Sequence, residues 1–395
     1  MVDEDSTNNE KTSHPRGWNI ETLKKMDVRV WSYLEDFEDN RYEYLSAIED
    51  VLRSGNLILG PHVKKLEDDF SSYCEVSHGV GVGSCTDAII LGLRAMDIGT
   101  GDEVITVANT AVPTVAAIAA TGATAKFVDI DPESYLMDVT KLRSAITKKT
   151  KCILPVHIFG QCVDMDEINK VAEEFGLKVL EDCAQAHGAL YKNRKAGSMS
   201  DVGTFSFYPT KVLGGFGDGG MVVTKNLELY ERVKGLRVYG MRDKYFSVEK
   251  GVNSRLDELH AAIILKKFVK LDEYIEKRNA LAKRYDELLI GTSLVLPKIA
   301  DFNDLHVYYV YVVRHPKRDL IMQKLKDRGI FVNVSYEWPV HTMDAFADSG
   351  YKEGDLPETE AACREIFSLP MYPELTFEKQ DKVVEALKEI LIEID

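Results

Sequence analysis

The chain has 395 residues, enough for two domains and a large core. A formal net charge of -15 argues against general nucleic-acid or membrane-surface partners, while leaving room for an anionic small substrate in a locally basic pocket. Hydrophobic content of 45% is ordinary for a globular protein, and no apolar run approaches the ~20 residues of a membrane span. The six cysteines (74, 85, 152, 162, 183 and 363) form no C-x-x-C pair and join no His/Cys cluster of zinc spacing. They read as free thiols of a reducing compartment; no signal peptide heads the chain, so a cytoplasmic location and no metal are expected.

Residues 1–27 are polar and read as a flexible tail, with a short helix near Ile20 to Met26. Arg41 to Leu52 is helical by its apolar spacing and is stopped by Ser54-Gly55-Asn56; Val63 to Tyr73 is a second helix. Gly79-Val-Gly-Val-Gly-Ser-Cys-Thr-Asp87 then opens an apolar helix, Ala88 to Met96. A glycine-rich strand end that opens a helix offers unpaired N–H groups and a positive dipole end to a phosphate. It is not a dinucleotide fingerprint, because the third glycine is replaced by Ser84 or Thr86 in either register.

Strand and helix then alternate. Strands are predicted at Glu103–Val107, Ala125–Ile130, Cys152–His157 and Leu177–Glu181, and helices at Thr114–Thr121, Val139–Ile146 and Met165–Phe175. This is the pattern of an α/β fold with a mostly parallel sheet covered on both faces, whose ligands gather at the strands' C-terminal ends. After a strand at Met221–Thr224, a long amphipathic region from Leu256 to about Leu289 is expected to be helical with a bend. Strand-like runs at His306–Val313 and Phe331–Val334, and a helix over Phe377–Ile392, suggest a smaller α+β domain. The division is a tail over 1–27, a large domain over 28–270 and a small one over 271–395.

The stretch Asp201 to Gly220 is the organising one. Its apolar run Val202–Phe207 reads as a buried strand, ended by Pro209. A single lysine, Lys211, follows, and glycine occupies five of the seven positions from Gly214 to Gly220. A lysine at a strand end, beside backbone free to approach a ligand, suits a Schiff base to an aldehyde cofactor. Asp182 closes the strand Lys-Val-Leu-Glu-Asp. It can cap the next turn, or it can pair with a pyridinium nitrogen and favour the protonated, electron-withdrawing ring. An aspartate ending one strand and a lysine following another is the layout of a pyridoxal phosphate site.

Six segments resemble the DegT/DnrJ/EryC1/StrS sugar aminotransferases: Ser84-Cys-Thr-Asp-Ala88, Pro155-Val-His-Ile-Phe-Gly160, Glu181-Asp-Cys-Ala-Gln-Ala-His-Gly188, Phe205-Ser-Phe-Tyr-Pro-Thr-Lys211, Gly217-Asp-Gly-Gly220 and Gly251-Val-Asn-Ser-Arg-Leu-Asp-Glu258. The resemblance covers roughly residues 28 to 395. It implies an aspartate-aminotransferase-like fold (fold type I), with a large mostly parallel sheet domain and a smaller C-terminal α+β domain. It implies pyridoxal 5'-phosphate on Lys211, with Asp182 at the ring nitrogen and Gln185 near the ring hydroxyl. The phosphate would meet the N–H groups of Cys85 and Thr86 and the hydroxyl of Ser206. Asn253 would reach it from a partner subunit, so a homodimer with shared active sites is implied. Two departures stand out: Thr110 is followed by Ala111, where relatives often carry an aromatic residue that stacks on the ring, and Cys85 stands where many have glycine.

By the same resemblance the reaction is amino transfer from L-glutamate to a nucleotide-linked keto sugar, with Lys211 as leaving group and then general acid and base. Asn253-Ser-Arg-Leu-Asp-Glu258 resembles enzymes that aminate C3 of a dTDP-3-keto-6-deoxyhexose; relatives acting at C4 more often carry an Asn-Tyr pair there. His187 is a candidate for lining the sugar pocket. Arg237, Arg242 and Lys244 are candidates for the basic patch that a sugar pyrophosphate needs. An NAD-dependent oxidoreductase lacks its third glycine and ribose partner here. A cofactor-binding sensor remains as an alternative, with no basic helix-turn-helix segment beside it.

Overall fold

The computed structural model describes residues 28–243 and 245–394. The helix expected near Ile20 to Met26, and Lys244, lie outside the described residues. After a short helix over Leu34–Asp39, the helices α1 (Arg41–Ser54) and α2 (Pro61–Tyr73) lead into the sheet. There follow β1 (His78–Val82), α3 (Cys85–Ala95), β2 (Glu103–Val107), α4 (Val112–Ala120), β3 (Thr124–Val128), β4 (Thr150–Ile153), α5 (Met165–Phe175), β5 (Lys178–Asp182), β6 (Val202–Ser206) and β7 (Gly220–Thr224). The seven strands lie in the order β1-β7-β6-β5-β4-β2-β3. All neighbouring pairs are parallel except those of β7, which runs antiparallel to both β1 and β6. The central strands β6 and β7 are buried along their whole length, as a sheet covered on both faces requires.

The reversed strand fixes what meets at one sheet edge. Gly220, the first residue of β7, is in register with both Val82 and Ser206, the last residues of β1 and β6. A Cβ on Gly220 would stand 2.5 Å from the backbone of Ser84 and 2.7 Å from Cys85 N, so only glycine lets the start of α3 close over the strand end. Gly92 serves the same packing one face away: a Cβ there would meet Leu180 at 2.9 Å. The other glycines of 214–219 have the same kind of cause. Gly215 and Gly217 lie against the His260 ring, Gly214 against the Pro209 carbonyl, and Gly219 against Leu256 and Phe207. The run is there for close packing of its own loop, and only Gly219 borders the cavity described below.

The long helical region is two helices, α7 (Glu258–Phe268) and α8 (Leu271–Leu289), after α6 (Leu227–Leu236). The break at Val269-Lys270 falls between two anchored lysines: Lys267 pairs with Asp36 at 2.9 Å, and Lys270 bonds Asn40. Beyond it come β8 (Tyr311–Arg314), α9 (Arg318–Asp327), α10 (Pro357–Glu365), β9 (Ile366–Leu369) and α11 (Phe377–Ile394), with β8 and β9 paired antiparallel. The expected strand at Phe331–Val334 does not form a ladder. Its backbone bonds are divided, Phe331 N–H going to Val28 and Asn333 exchanging with Ser368. Val139–Ile146 is a 3-10 turn and a single helical turn rather than one helix.

The apolar interior falls into two main clusters. The larger surrounds the sheet; the second joins α8, β8, β9 and α11 and takes in Val28. Tyr336, Val340, Phe346 and Cys363 pack into the larger cluster although they follow residue 270 in the chain. Residues 28–30 are strapped to the second region, with Met371 N–H donating to the Val30 carbonyl at 3.1 Å. All six cysteines are free and buried.

Candidate active site

A cavity of about 350 Å³ opens at the C-terminal edge of the sheet, where β1, β5 and β6 end and β7 begins. Cys85, Thr86, Asp182, Ser206 and Lys211 all line it. The structure therefore brings together five of the candidate residues from three separate stretches of chain.

The phosphate end is built on α3. Ser84 caps the helix by accepting the Asp87 N–H at 3.1 Å, which leaves the N–H groups of Cys85 and Thr86 as orphans of the first turn. Ser206 stands beside them through the β6–β7 register. The Cys85 side chain is buried and its thiol is pushed well up by burial, so it serves as packing beside its own N–H.

The opposite end is built on Asp182. Its side chain is buried, and burial raises its pKa; the Ala184 N–H at 3.1 Å, the Thr114 hydroxyl at 2.8 Å and the charge of Lys211 work the other way. Thr114 gives its only proton to Asp182, so Thr110, 2.9 Å from Thr114, must be the donor of that bond. Behind Asp182, the neighbouring Glu181 is fully satisfied by the N–H groups of Gly197 and Met199, the Ser200 hydroxyl and His157. His157 Nδ1 accepts the Val163 N–H at 3.2 Å, so its proton sits on Nε2, facing Glu181. Cys183 completes a group of three metal-ligand types here, but the carboxylate's bonds are already spent on the chain. The knot anchors the end of β5 and with it Asp182.

Lys211 sits on a tight loop closed by Gly215 N–H to the Phe207 carbonyl at 2.7 Å and by Phe207 N–H to the Gly219 carbonyl at 2.8 Å. Its ammonium lies 4.4 Å from the centre of the Tyr309 ring. Ala111 and Ala184 border the cavity, and no aromatic ring stands at Ala111. A buried carboxylate, a lysine and a set of unpaired donors on one cavity fit the ring nitrogen, aldehyde and phosphate of pyridoxal phosphate.

The chain matches the DegT/DnrJ/EryC1/StrS aminotransferase family over residues 38–388. It belongs to that family. It is 49% identical over 372 residues, 93% of this chain and 99% of the other, to a dTDP-3-amino-3,4,6-trideoxy-alpha-D-glucose transaminase of Micromonospora megalomicea subsp. nigra. It is 45% identical, over 92% of this chain and 98% of the other, to a pleiotropic regulatory protein of Geobacillus stearothermophilus. Its fold superposes on S. venezuelae DesV, solved in complex with a ketimine intermediate, with a TM-score of 0.91 at 41% identity, over 93% and 99% of the two chains. Solved neighbours include PLP and PMP forms. The protein is an aminotransferase that uses pyridoxal 5'-phosphate.

Five other candidate residues of this aminotransferase lie off the cavity wall. Gln185 is buried one layer back, where its carbonyl accepts the Phe159 N–H at 2.7 Å and its amide donates to Tyr336, which does line the cavity. His187 is not a pocket residue. It is fully buried among Phe70, Phe205 and Phe207, and burial together with the Lys211 charge pushes its pKa down to about 3, so it stays neutral at physiological pH. Arg237 is turned inward. It bonds Glu67 at 2.5 Å and the Gly81 carbonyl at 2.7 Å, tying α2 to β1, and has no part in a basic patch. Arg242 is exposed on a hairpin, beside Asp243 and over Phe246. Asn253 is exposed and outside its own chain's cavity.

The Asn253–Glu258 segment is mostly structural. The Ser254 hydroxyl accepts the Gly83 N–H and donates to Asp87, Asp257 caps α7, and buried Glu258 accepts the first N–H groups of α2. Sequence reasoning missed Thr114, Tyr309, Tyr336, Asn333, Ser335 and Trp31. Asn333 and Ser335 belong to a segment packed on the second core through Ile330, Val332 and Val334, whereas Tyr336 beside them packs into the larger one.

Arg237→Ala is expected to cost about 3 kcal/mol of stability, because it strands Glu67 in the interior. Denaturant unfolding measures this, and the Michaelis constant for the sugar nucleotide of the folded fraction should stay within about twofold.

Proposed function

We propose that this aminotransferase moves an amino group from L-glutamate to C3 of a dTDP-linked 3-keto-6-deoxyhexose. The observation that carries the reading is the shared cavity of Lys211 and Asp182, in a chain similar along nearly its whole length to a relative named for a dTDP-3-amino sugar. Pyridoxal phosphate, when bound, supplies the nitrogen carrier and an electron-withdrawing ring. Asp182 would hold the proton on the ring nitrogen. Lys211 Nζ would take the proton leaving the donor carbon and return it at the sugar carbon. Cys85 N–H, Thr86 N–H and the Ser206 hydroxyl would hold the phosphate. Asn333, Ser335 and Ser368, all on the cavity wall, offer neutral polar groups to sugar hydroxyls.

The working unit in this reading is a homodimer, with Asn253 reaching the other subunit's phosphate. Its support is that Asn253 is exposed beside a segment with apolar surface: Tyr239, Tyr245, Phe246, Val248 and Val252 are 37–92% exposed. A cytoplasmic setting is supported by the six free buried thiols. Among the described residues, no helix is long and apolar enough to cross a membrane. The relative named as a regulatory protein favours a second reading, a cofactor-binding sensor without turnover.

Purified protein given L-glutamate and a panel of 3-keto and 4-keto nucleotide sugars should yield aminated 3-keto product by mass detection. Product only from 4-keto sugars moves the reaction to C4, and no product from any sugar favours the sensor. Mixing inactive Lys211→Ala with Asn253→Ala chains should restore up to about a quarter of wild-type activity, since half of the dimers then hold one intact site. No recovery after subunit exchange contradicts the shared site.

A further inference from the structure

The wall facing Lys211 is built with unusual care around one residue, Tyr309. This side chain is half-buried, lines the cavity, and presents its ring to the Lys211 ammonium, 4.4 Å from the ring centre. Its hydroxyl lies 3.1 Å from the hydroxyl of Thr210, the residue before Lys211. A phenol placed for packing alone does not need a polar partner drawn from the same loop as the lysine.

The backbone that carries Tyr309 is held from three sides. Arg278, a buried residue of α8, donates one Nη1 group to the carbonyls of Tyr308, Tyr309 and Met371 at 3.0–3.2 Å. Tyr309 N–H donates to the Phe159 carbonyl at 3.0 Å. Phe159 and Tyr308 both have positive φ, 59° and 44°, which is costly for bulky residues. Gly160, at φ 110°, lets the two turns meet, since a Cβ there would stand 3.0 Å from Tyr309 N and 3.1 Å from Tyr308 N. Strain of this kind persists where the surroundings over-determine it, and here they fix the direction of one phenol.

We propose that Tyr309 is the proton partner of Lys211: its hydroxyl and the Nζ group share one proton, which sits on nitrogen while Lys211 is an ammonium and on the phenolic oxygen when Lys211 must act as a base. The step balances within the pair: an N–H bond breaks as an O–H bond forms, and the reverse transfer restores the ammonium. Tyr309 acts through Lys211 and is a positioning residue in that sense. The groups facing it are Lys211, Arg278, Tyr336 and the Thr210 hydroxyl. Burial raises its pKa, but the charge of Lys211, the Thr210 bond and Arg278 outweigh this and leave it below the ordinary value. A tyrosine enclosed without cations goes the other way, as Tyr336 does.

The proposal rests on the aminotransferase reading, and its test separates the two. In the full chain freed of cofactor, tyrosinate absorbance should show one tyrosine ionising below the usual ~10. That step should vanish in Tyr309→Phe and move upward in Lys211→Met. In the loaded enzyme, Tyr309→Phe keeps the ring and the packing. It should bind cofactor normally yet slow the L-glutamate half-reaction by about 10²-fold, with an altered basic limb in the pH profile. Wild-type rates and an unchanged profile in Tyr309→Phe, or a tyrosine step insensitive to Lys211→Met, overturn the proposal while leaving the aminotransferase reading intact. No spectral response of wild-type enzyme to any amino donor overturns the reading beneath it.

Discussion

A buried carboxylate at the end of a buried strand is the constraint from which the site follows. Asp182 is 4% exposed, and an ionised group so placed must be compensated by neighbours. The chain provides a hydroxyl from Thr114, an N–H from Ala184 and the charge of Lys211, and burial still holds the pKa above the ordinary value. The carboxylate is under-compensated by its own chain. In the proposed role a protonated ring nitrogen would supply the missing positive partner, and cofactor binding and the ionisation of Asp182 would then stabilise one another. The His157–Glu181 knot behind it and the Thr110–Thr114 relay beside it exist to hold that one group in place.

The phosphate end solves its charge problem differently. Among the described residues lining the cavity, Lys211 is the only basic one. In the proposed reading the anion would meet neutral donors instead: the orphan N–H groups of α3 and the Ser206 hydroxyl. Of the three cations expected to form a basic patch, Arg237 takes no part, because that guanidinium is used up in fastening helix to strand. An acidic protein thus needs no cationic basin for a phosphate cofactor, provided one helix start is left open and its neighbour strand begins with glycine.

The sheet was legible in the sequence because its signals are local. Apolar runs bounded by turn residues located β2 and β5, and the strand–helix alternation located the ligand edge. Asp182 and Lys211 were legible for the same reason, each lying at a strand end. What escaped was whatever depends on long-range packing. His187 sits one residue from Ala186 in a segment full of site residues, and only the aromatic cluster of Phe70, Phe205 and Phe207 shows that it faces the core. Phe331–Val334 has a strand's composition but divides its bonds between the N-terminal strap and β9. The glycines after Lys211 were legible as close approach, although what approaches is His260, Pro209 and Leu256 rather than a ligand. Tyr309 was visible only as one aromatic residue in a run of three tyrosines at 308, 309 and 311; nothing local says which of them faces the lysine.

The central claim is that the cofactor is carried by Lys211 in the cavity it shares with Asp182. Borohydride reduction of the cofactor-loaded protein, followed by proteolysis and peptide mass mapping, tests it most directly. The account predicts a reduced phosphopyridoxyl group on the peptide containing Lys211, and its absence there in Asp182→Ala protein that no longer retains the cofactor. Labelling of a different lysine in the wild-type protein, with Lys211 unmodified, would contradict it.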